Sequence, residues 1–512
     1  MVYLSEKMNV LFIITDQQRA DHLSCAGNPD LKTPNLDRFA SESVRFTNAY
    51  CANPMCMPNR STIFTGKYPS IHGVRCNGIN LNPEIPTFPE SLLKSGYHTS
   101  SFGKIHLNWY GTPWSRKSFS YEMLIPFIYT PKEKQRPLPK PYYGLDEVKL
   151  TSGHGDAVGG QYLDWIEEKA PDYLELIKSR ATKLYDHILI ESPIPEEFYQ
   201  TTYITEETIS FLERFSEGKY GDRPFFVHCS FPDPHHPVCP PGRYQDMYDP
   251  NKIEISSTLN EIDKLYQHEV LKNYVNVYPR NRLRETNEEE VRKFQAYTYG
   301  VLSLIDHSVG QILGALNSLG LEKNTMVIFT SDHADLMGDH GMLFKGPAHY
   351  QGLVKVPFIW KVPGMTKAGV ISDSLVSSID IPSTILNLLN IKEKFQPPGM
   401  QGIDITPILQ DPSVKIRDHC IIEEDEDARK ATKRDQYRNI RVRTMITEDY
   451  RITIYQGYGN TGDLYDLKKD PNELVNLWND KNYKEIRDNL VYKMFHEILN
   501  LQDHFPKKQA QA

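Results

Sequence analysis

The run Asn9-Val10-Leu11-Phe12-Ile13-Ile14-Thr15 is apolar almost throughout and turns abruptly polar at Asp16-Gln17. An apolar run of this length without alternation reads as a strand buried on both faces, the mark of a parallel sheet covered by helices on each side. Thr325 to Thr330 repeats the pattern ahead of Ser331-Asp332-His333, and Pro224 to His228 repeats it ahead of Pro234-His235-His236-Pro237. Ligands of open α/β sheets bind at the carboxyl ends of the strands, so these three are expected to converge on one site.

Helical periodicity at Pro34 to Ser43, Pro86 to Lys94, Glu206 to Phe215, Glu289 to Leu321 and Ile381 to Leu389 alternates with the strands. The expected class is α/β, a doubly wound central sheet flanked by helices. After Pro397-Pro398-Gly399 the pattern shortens to alternating runs at Arg441 to Ile446 and Tyr450 to Tyr455, with a terminal helix near Tyr483 to Leu499. We therefore expect a larger α/β domain over 1–400 and a smaller α+β domain over 401–512. Within the first, residues 109–195 break the rhythm with prolines and aromatics and read as a lid-like insertion; Pro240 to Asn287 reads as a second one. Gly153-His154-Gly155-Asp156 reads as a turn, with polar contacts to a pocket as the alternative, and the charged stretch Glu423 to Arg434 as a solvated loop.

A chain of 512 residues exceeds the usual size of one domain, and its 39% apolar and 24% charged residues are those of an ordinary globular protein. The net charge of −8 gives no global field to recruit nucleic acid or an anionic membrane. The apolar stretch Val10 to Ile14 is too short for a signal-peptide core or a membrane span, which sets a cytoplasmic expectation. The 7 cysteines, Cys25, Cys51, Cys56, Cys76, Cys229, Cys239 and Cys420, are odd in number and irregular in spacing. That argues against a disulfide framework.

A carboxylate followed by an amide oxygen at a strand end, Asp16-Gln17, either binds a hard divalent cation or caps a turn. Asp332-His333 is open in the same way between a ligand pair and a helix cap. Between them Pro58 is placed to open a helix through Asn59 to Gly66, which puts Cys56 at a helix N-terminus. That position lowers a thiol pKa and attracts anions; the alternative is a small buried apolar residue.

Cys56-Met57-Pro58-Asn59-Arg60, followed by Ser61, Thr62, Thr65 and Gly66, resembles the signature of the type I sulfatases, in the alkaline phosphatase superfamily. Thr33-Pro34-Asn35-Leu36-Asp37, Phe102-Gly103-Lys104-Ile105-His106, Pro234-His235-His236-Pro237, Thr330-Ser331-Asp332-His333, Phe344-Lys345-Gly346 and Asp463-Leu464-Tyr465-Asp466 follow in family order. An ordered set is far more specific than one short motif. The resemblance implies an alkaline phosphatase-like fold and conversion of Cys56 to formylglycine by a maturation enzyme. It also implies a divalent cation, Ca²⁺ or alternatively Mn²⁺, held by Asp16, Gln17, Asp332, His333 and the modified Cys56. Arg60 matches the residue that holds the nucleophile, Lys104 and Lys345 the lysines on the sulfate oxygens, and His106 the partner of the formylglycine hydroxyl. His235 matches the residue beside the leaving oxygen, and Asn77 an active-site asparagine.

The Asp-Gln pair and Asn77 resemble the choline-sulfatase and phosphonate monoester hydrolase branches, whereas Lys104 and His106 follow the sulfatase pattern. Asn59 and Ala334 depart from the commoner serine and glycine without removing a ligand. The reading implied is hydrolysis of a small-molecule or saccharide sulfate ester through the formylglycine diol, with His235 as general acid. A phosphonate monoester or phosphodiester hydrolase and an unmatured binding protein are the alternatives. A homo-oligomer stays open, and neither nucleic acid nor membrane is an expected partner.

Overall fold

The computed structural model describes residues 8–111, 118–124, 128, 134–181, 188–189, 191–275, 283–427 and 439–502. The segment Met1 to Lys7, parts of the expected insertions and the end of the charged stretch lie outside the described residues.

The largest sheet among them has nine strands. Their order is Val370–Ser372, Val44–Phe46, Phe358–Lys361, Thr325–Ser331, Asn9–Thr15, Phe225–Ser230, His98–Gly103, Glu147–His154, Ala157–Gly160. From Thr325–Ser331 to Glu147–His154 all neighbours are parallel. Phe358–Lys361 and Ala157–Gly160 run antiparallel to their inner neighbours. Both faces are covered, as the unbroken apolar runs require. Val10, Phe12 and Ile14 face one core and Leu11 and Ile13 the other. Each such side chain contributes about 1.5–3 kcal/mol by leaving water.

Register fixes the site. Thr15 pairs with Ser331, Ile14 with Ser230 and Gly103 with Ser230. Asp16, Asp332, Phe231 and Lys104 therefore leave four adjacent strands at about one height. Gly103 has φ +102°, and a Cβ there would run into the Ser230 carbonyl oxygen. Only glycine lets the chain turn this close to its neighbour and bring Lys104 inward.

The helices Pro34–Ser41, Phe88–Lys94, Gln200–Ser216, Glu288–Ser318 and Asp380–Leu388 fall where the periodicity placed them. Glu288–Ser318 opens with Asn287 accepting from the Glu290 N–H at 3.0 Å and acids in its first turn, which suits the positive end of the helix. Cys56–Thr65 is a helix with every residue buried, Pro58 in its first turn, and left-handed Gly66 (φ 67°) closing it. Among the described residues no helix is long and apolar enough to cross a membrane.

Four antiparallel strands, Cys420–Glu426, Ile440–Ile446, Tyr450–Tyr455 and Gly462–Asp466, form the smaller C-terminal sheet domain. Ile421, Met445, Ile452 and Leu464 pack on the Met494 side of the Lys484–Asn500 helix, while Ile422, Val442 and Ile446 join the main core.

Two local expectations change. The charged stretch from Glu423 is not a solvated loop up to Glu426: these acids are buried in the first strand of the small sheet. Glu423 and Asp425 lie opposite Arg443 and Arg441 in register, and Glu424 meets His349 Nε2 at 2.7 Å. Cross-strand pairing with opposite charge makes the burial tolerable. The 109–195 stretch also contains regular structure, adding Glu147–His154 and Ala157–Gly160 to the main sheet and the helices Tyr162–Lys169 and Leu174–Ala181. Its edge strand is short and glycine-rich, which hid the alternation.

Candidate active site

Asp16, Cys56, Asp332 and His333 are buried together, one ligand atom from each lying within 4.8 Å of the others. His333 Nε2 is 3.3 Å from Asp16 Oδ1 and 3.1 Å from Cys56 Sγ, while its Nδ1 lies 2.9 Å from the Ala334 carbonyl oxygen. The main-chain N–H groups of Gln17 and His333 both donate to Asp332 Oδ1, at 3.2 and 2.9 Å. Gln17, with φ 69°, turns its amide nitrogen to Asp335 Oδ2 at 2.8 Å and His236 Nδ1 at 3.2 Å. Its Oε1 is buried without a partner. Two carboxylates and an imidazole in one buried cluster, with an unsatisfied amide oxygen on the residue whose N–H binds Asp332, are a donor set that fits a hard divalent cation.

The cysteine helix brings more than Cys56. Arg60 is buried; its Nε donates to Asp332 Oδ2 at 2.7 Å and its Nη1 to Ser230 Oγ at 2.9 Å and the Lys104 carbonyl at 3.1 Å. Asn59 donates to the Asp332 carbonyl and accepts from Ala52 N at 3.1 Å and Ser378 Oγ at 2.8 Å, so the less common residue there ties the helix to the ligand loop. Asn77 accepts from the Met57 N–H at 3.0 Å, on the first turn of the helix.

Cations ring the cluster. Lys345 Nζ is 3.1 Å from Cys56 Sγ and 2.9 Å from Nε2 of both His235 and His333. Lys104 is ion-paired with Asp16 and lies 2.9 Å from His154 Nε2. His235 points Nδ1 at the His236 carbonyl, 2.6 Å away, and stacks on His154 at 3.8 Å between centroids. His106 stands at the margin with φ 59°, stacked on Tyr110 at 3.9 Å; its Nδ1 and the Tyr110 hydroxyl are buried without partners.

The electrostatics follow from this crowding. Burial and Asp16 push the Cys56 thiol up, but Lys345, Lys104 and His333 outweigh them and bring it down to about 7. Asp16 is buried, yet the Lys104 ammonium above all holds it well below the usual carboxylate range. Burial, then cationic neighbours, keeps His106 and His235 neutral and lowers His154 to about 3.

His154 was expected chiefly as part of a turn, with polar contacts to the pocket as the alternative. The Gly153–Asp156 segment does turn, but its histidine ends the Glu147–His154 strand and enters the site between Lys104 and His235. A histidine between two glycines at a sheet end was the available signal. Ser230 and Asp335, which position Arg60 and Gln17, carried none.

A metal-ready ligand cluster on the carboxyl edge of a parallel sheet, with a cysteine helix and converging cations around it, defines a hydrolase of the alkaline phosphatase superfamily. The family model described as Sulfatase matches residues 8–391, and the chain belongs to that family. It is accordingly a sulfuric ester hydrolase. A second model, N-sulphoglucosamine sulphohydrolase, C-terminal, matches residues 338–500. The chain is 29% identical to an arylsulfatase of Clostridium perfringens over 96% of its own length and 94% of that protein's. It is 28% identical to an ulvan-active sulfatase of Formosa agariphila, over 98% and 83%. The fold matches the crystal structure of the phosphonate monoester hydrolase of Agrobacterium radiobacter with a TM-score of 0.79, 24% identity, and coverage of 98% and 97%.

Proposed function

We propose that the protein hydrolyses the sulfate ester of a saccharide, with formylglycine made from Cys56 by a maturation enzyme and Ca²⁺ bound at Asp16, Gln17, Asp332, His333 and residue 56. The observation that carries the reading is the meeting of Cys56, the ligand cluster and Lys345 within 3.1–3.7 Å. When bound, the hydrated aldehyde and the cation supply an acidified hydroxyl nucleophile.

Each side chain then has a defined task. Lys104 and Lys345 bind the sulfate oxygens as point charges, with His154 between Lys104 and His235 extending the anion contacts. Arg60, fixed by Asp332, Ser230 and the Lys104 carbonyl, places a permanent cation beneath residue 56. Asn77 orders the first turn of the cysteine helix. His106, kept neutral by burial, is able to take up a proton at an imidazole nitrogen. His235, with its Nε2 2.9 Å from Lys345 Nζ, is the residue assigned to deliver the proton to the leaving alcohol.

The saccharide class rests on relatives named for ulvan and for N-acetylglucosamine-6-O-sulfate. The test is peptide mass analysis at Cys56 together with sulfate release from a panel of saccharide and aryl sulfates. Conversion of Cys56 and turnover of a saccharide sulfate are expected; activity from wholly unconverted protein would remove the nucleophile. Gln17 and Asn77 favour a second reading, a phosphonate monoester or phosphodiester hydrolase using Mn²⁺. A higher kcat/KM on paired phosphonate esters would establish it in place of the first.

A further inference from the structure

Three consecutive main-chain N–H groups behind His106 converge on one buried carboxylate. Glu122 Oε2 accepts from His106 N at 2.6 Å, and Oε1 accepts from Leu107 N at 3.0 Å and Asn108 N at 2.9 Å. The Tyr142 hydroxyl donates to the same Oε1 at 2.8 Å. Glu122 is fully buried. His106 sits at φ 59°, a conformation that a histidine adopts only at a cost and keeps only when its surroundings impose it. A concave row of N–H groups is an anion cradle, and here the anion is a side chain of the protein itself.

We propose that Glu122 is a positioning residue for the sulfate-ester reaction, holding the Lys104–Asn108 turn in its left-handed form and thereby setting the His106 ring against Tyr110 and beside Lys104. The inference rests on the sulfatase reading for its catalytic consequence, though not for the clamp itself. Neighbouring contacts point the same way. Leu124 N donates to the Tyr110 carbonyl at 3.1 Å and Tyr121 N to Asn108 Oδ1 at 3.3 Å. Residues 118–124 thus grip both ends of the segment that carries His106 and its stacking partner. Burial pushes the Glu122 carboxyl up to about 7 while its four donors resist. A group with four donors and no acceptor around it is best served by the ionised form.

The variants are Glu122→Gln and Glu122→Ala in matured, Ca²⁺-loaded protein. Glutamine keeps the shape but turns an NH₂ toward at least one N–H donor, so it is not expected to rescue. Both variants should lower kcat on an aryl sulfate by about tenfold or more, with KM moving by less than about threefold, because the loss lies in aiming and not in binding. Amide hydrogen exchange at residues 104–110 should rise in both while the central strands keep their protection. Should Glu122→Ala fail to fold, Tyr142→Phe, which removes one donor from the carboxylate, should give a smaller change in the same direction. Unchanged kcat and exchange in folded Glu122→Gln would overturn the proposal, as would exchange rising equally throughout the chain. If the unaltered protein cleaves no sulfate ester, the functional reading falls and the exchange measurement still decides the clamp.

Discussion

Lys345 Nζ lies 3.1 Å from Cys56 Sγ, a lysine from the loop after the short strand Met342–Leu343 set against the thiol at the start of the cysteine helix. The contact couples the ionisation of Cys56 to a residue nearly three hundred positions away. In chelated, unconverted protein the thiol is down at about 7, with burial and Asp16 opposing Lys345, Lys104 and His333. Lys345→Ala should therefore move the thiolate titration to higher pH, read by ultraviolet absorbance against a Cys56→Ser control. In matured protein the same substitution should lower kcat/KM by about 10²–10³. An unmoved titration would contradict the contact.

Cation addition to chelated protein should raise its melting temperature. At about 100 times the dissociation constant the gain is about 2.7 kcal/mol. Asp16→Asn, which removes an anionic oxygen from the cluster, should abolish most of the shift, and calorimetry with Ca²⁺ and Mn²⁺ compares the two ions.

Acid should weaken the fold through His228. This imidazole is buried beneath the site, 2.9 Å from Ser101 Oγ and edge-on to Phe64. Burial, then Arg60, lowers it from 6.5 to about 3. The unfolded chain takes up a proton below 6.5 that the folded chain refuses, so stability present above that pH is lost as pH falls toward 3. His228→Asn should flatten this dependence, and the urea midpoints of variant and parent should converge between pH 6.5 and 3.

A buried ion pair joins the small sheet to the core. Arg451 is ion-paired with Glu473 and lies 3.2 Å from Asp463, and Glu473 also accepts from the Gln351 N–H at 2.7 Å. Removing Glu473 leaves Arg451 Nε without its acceptor while Asp463 still faces Nη1, so Glu473→Ala should cost roughly 1–3 kcal/mol in urea unfolding. A loss below about 1 kcal/mol would show that water reaches Arg451.

What could be read from the sequence was set by how local each signal was. Asp16 and Asp332 were legible because each ends an apolar run that can only be an interior strand, and the cysteine helix because Pro58 and Gly66 bracket it. Glu423 to Glu426 misled because a run of acids looks solvated until Arg441 and Arg443, which neutralise two of them, are brought alongside. The site role of His154 stayed secondary to a turn because Lys104 and His235 are far from it in the chain, and Glu122, though 16 residues from His106, sits in an irregular stretch where no pattern announces the contact.

The shared height of the strand ends separates inheritance from invention in this molecule. On the proposed reading, the ligands and anion-binding groups stand on strand ends held in register, and the substrate is met by the connections between strands. The 109–195 stretch is the exception, because it carries the carboxylate that fills the cradle behind His106. If the clamp holds as proposed, a graft of that stretch from a relative would have to bring an anion for those three N–H groups along with whatever else it changes.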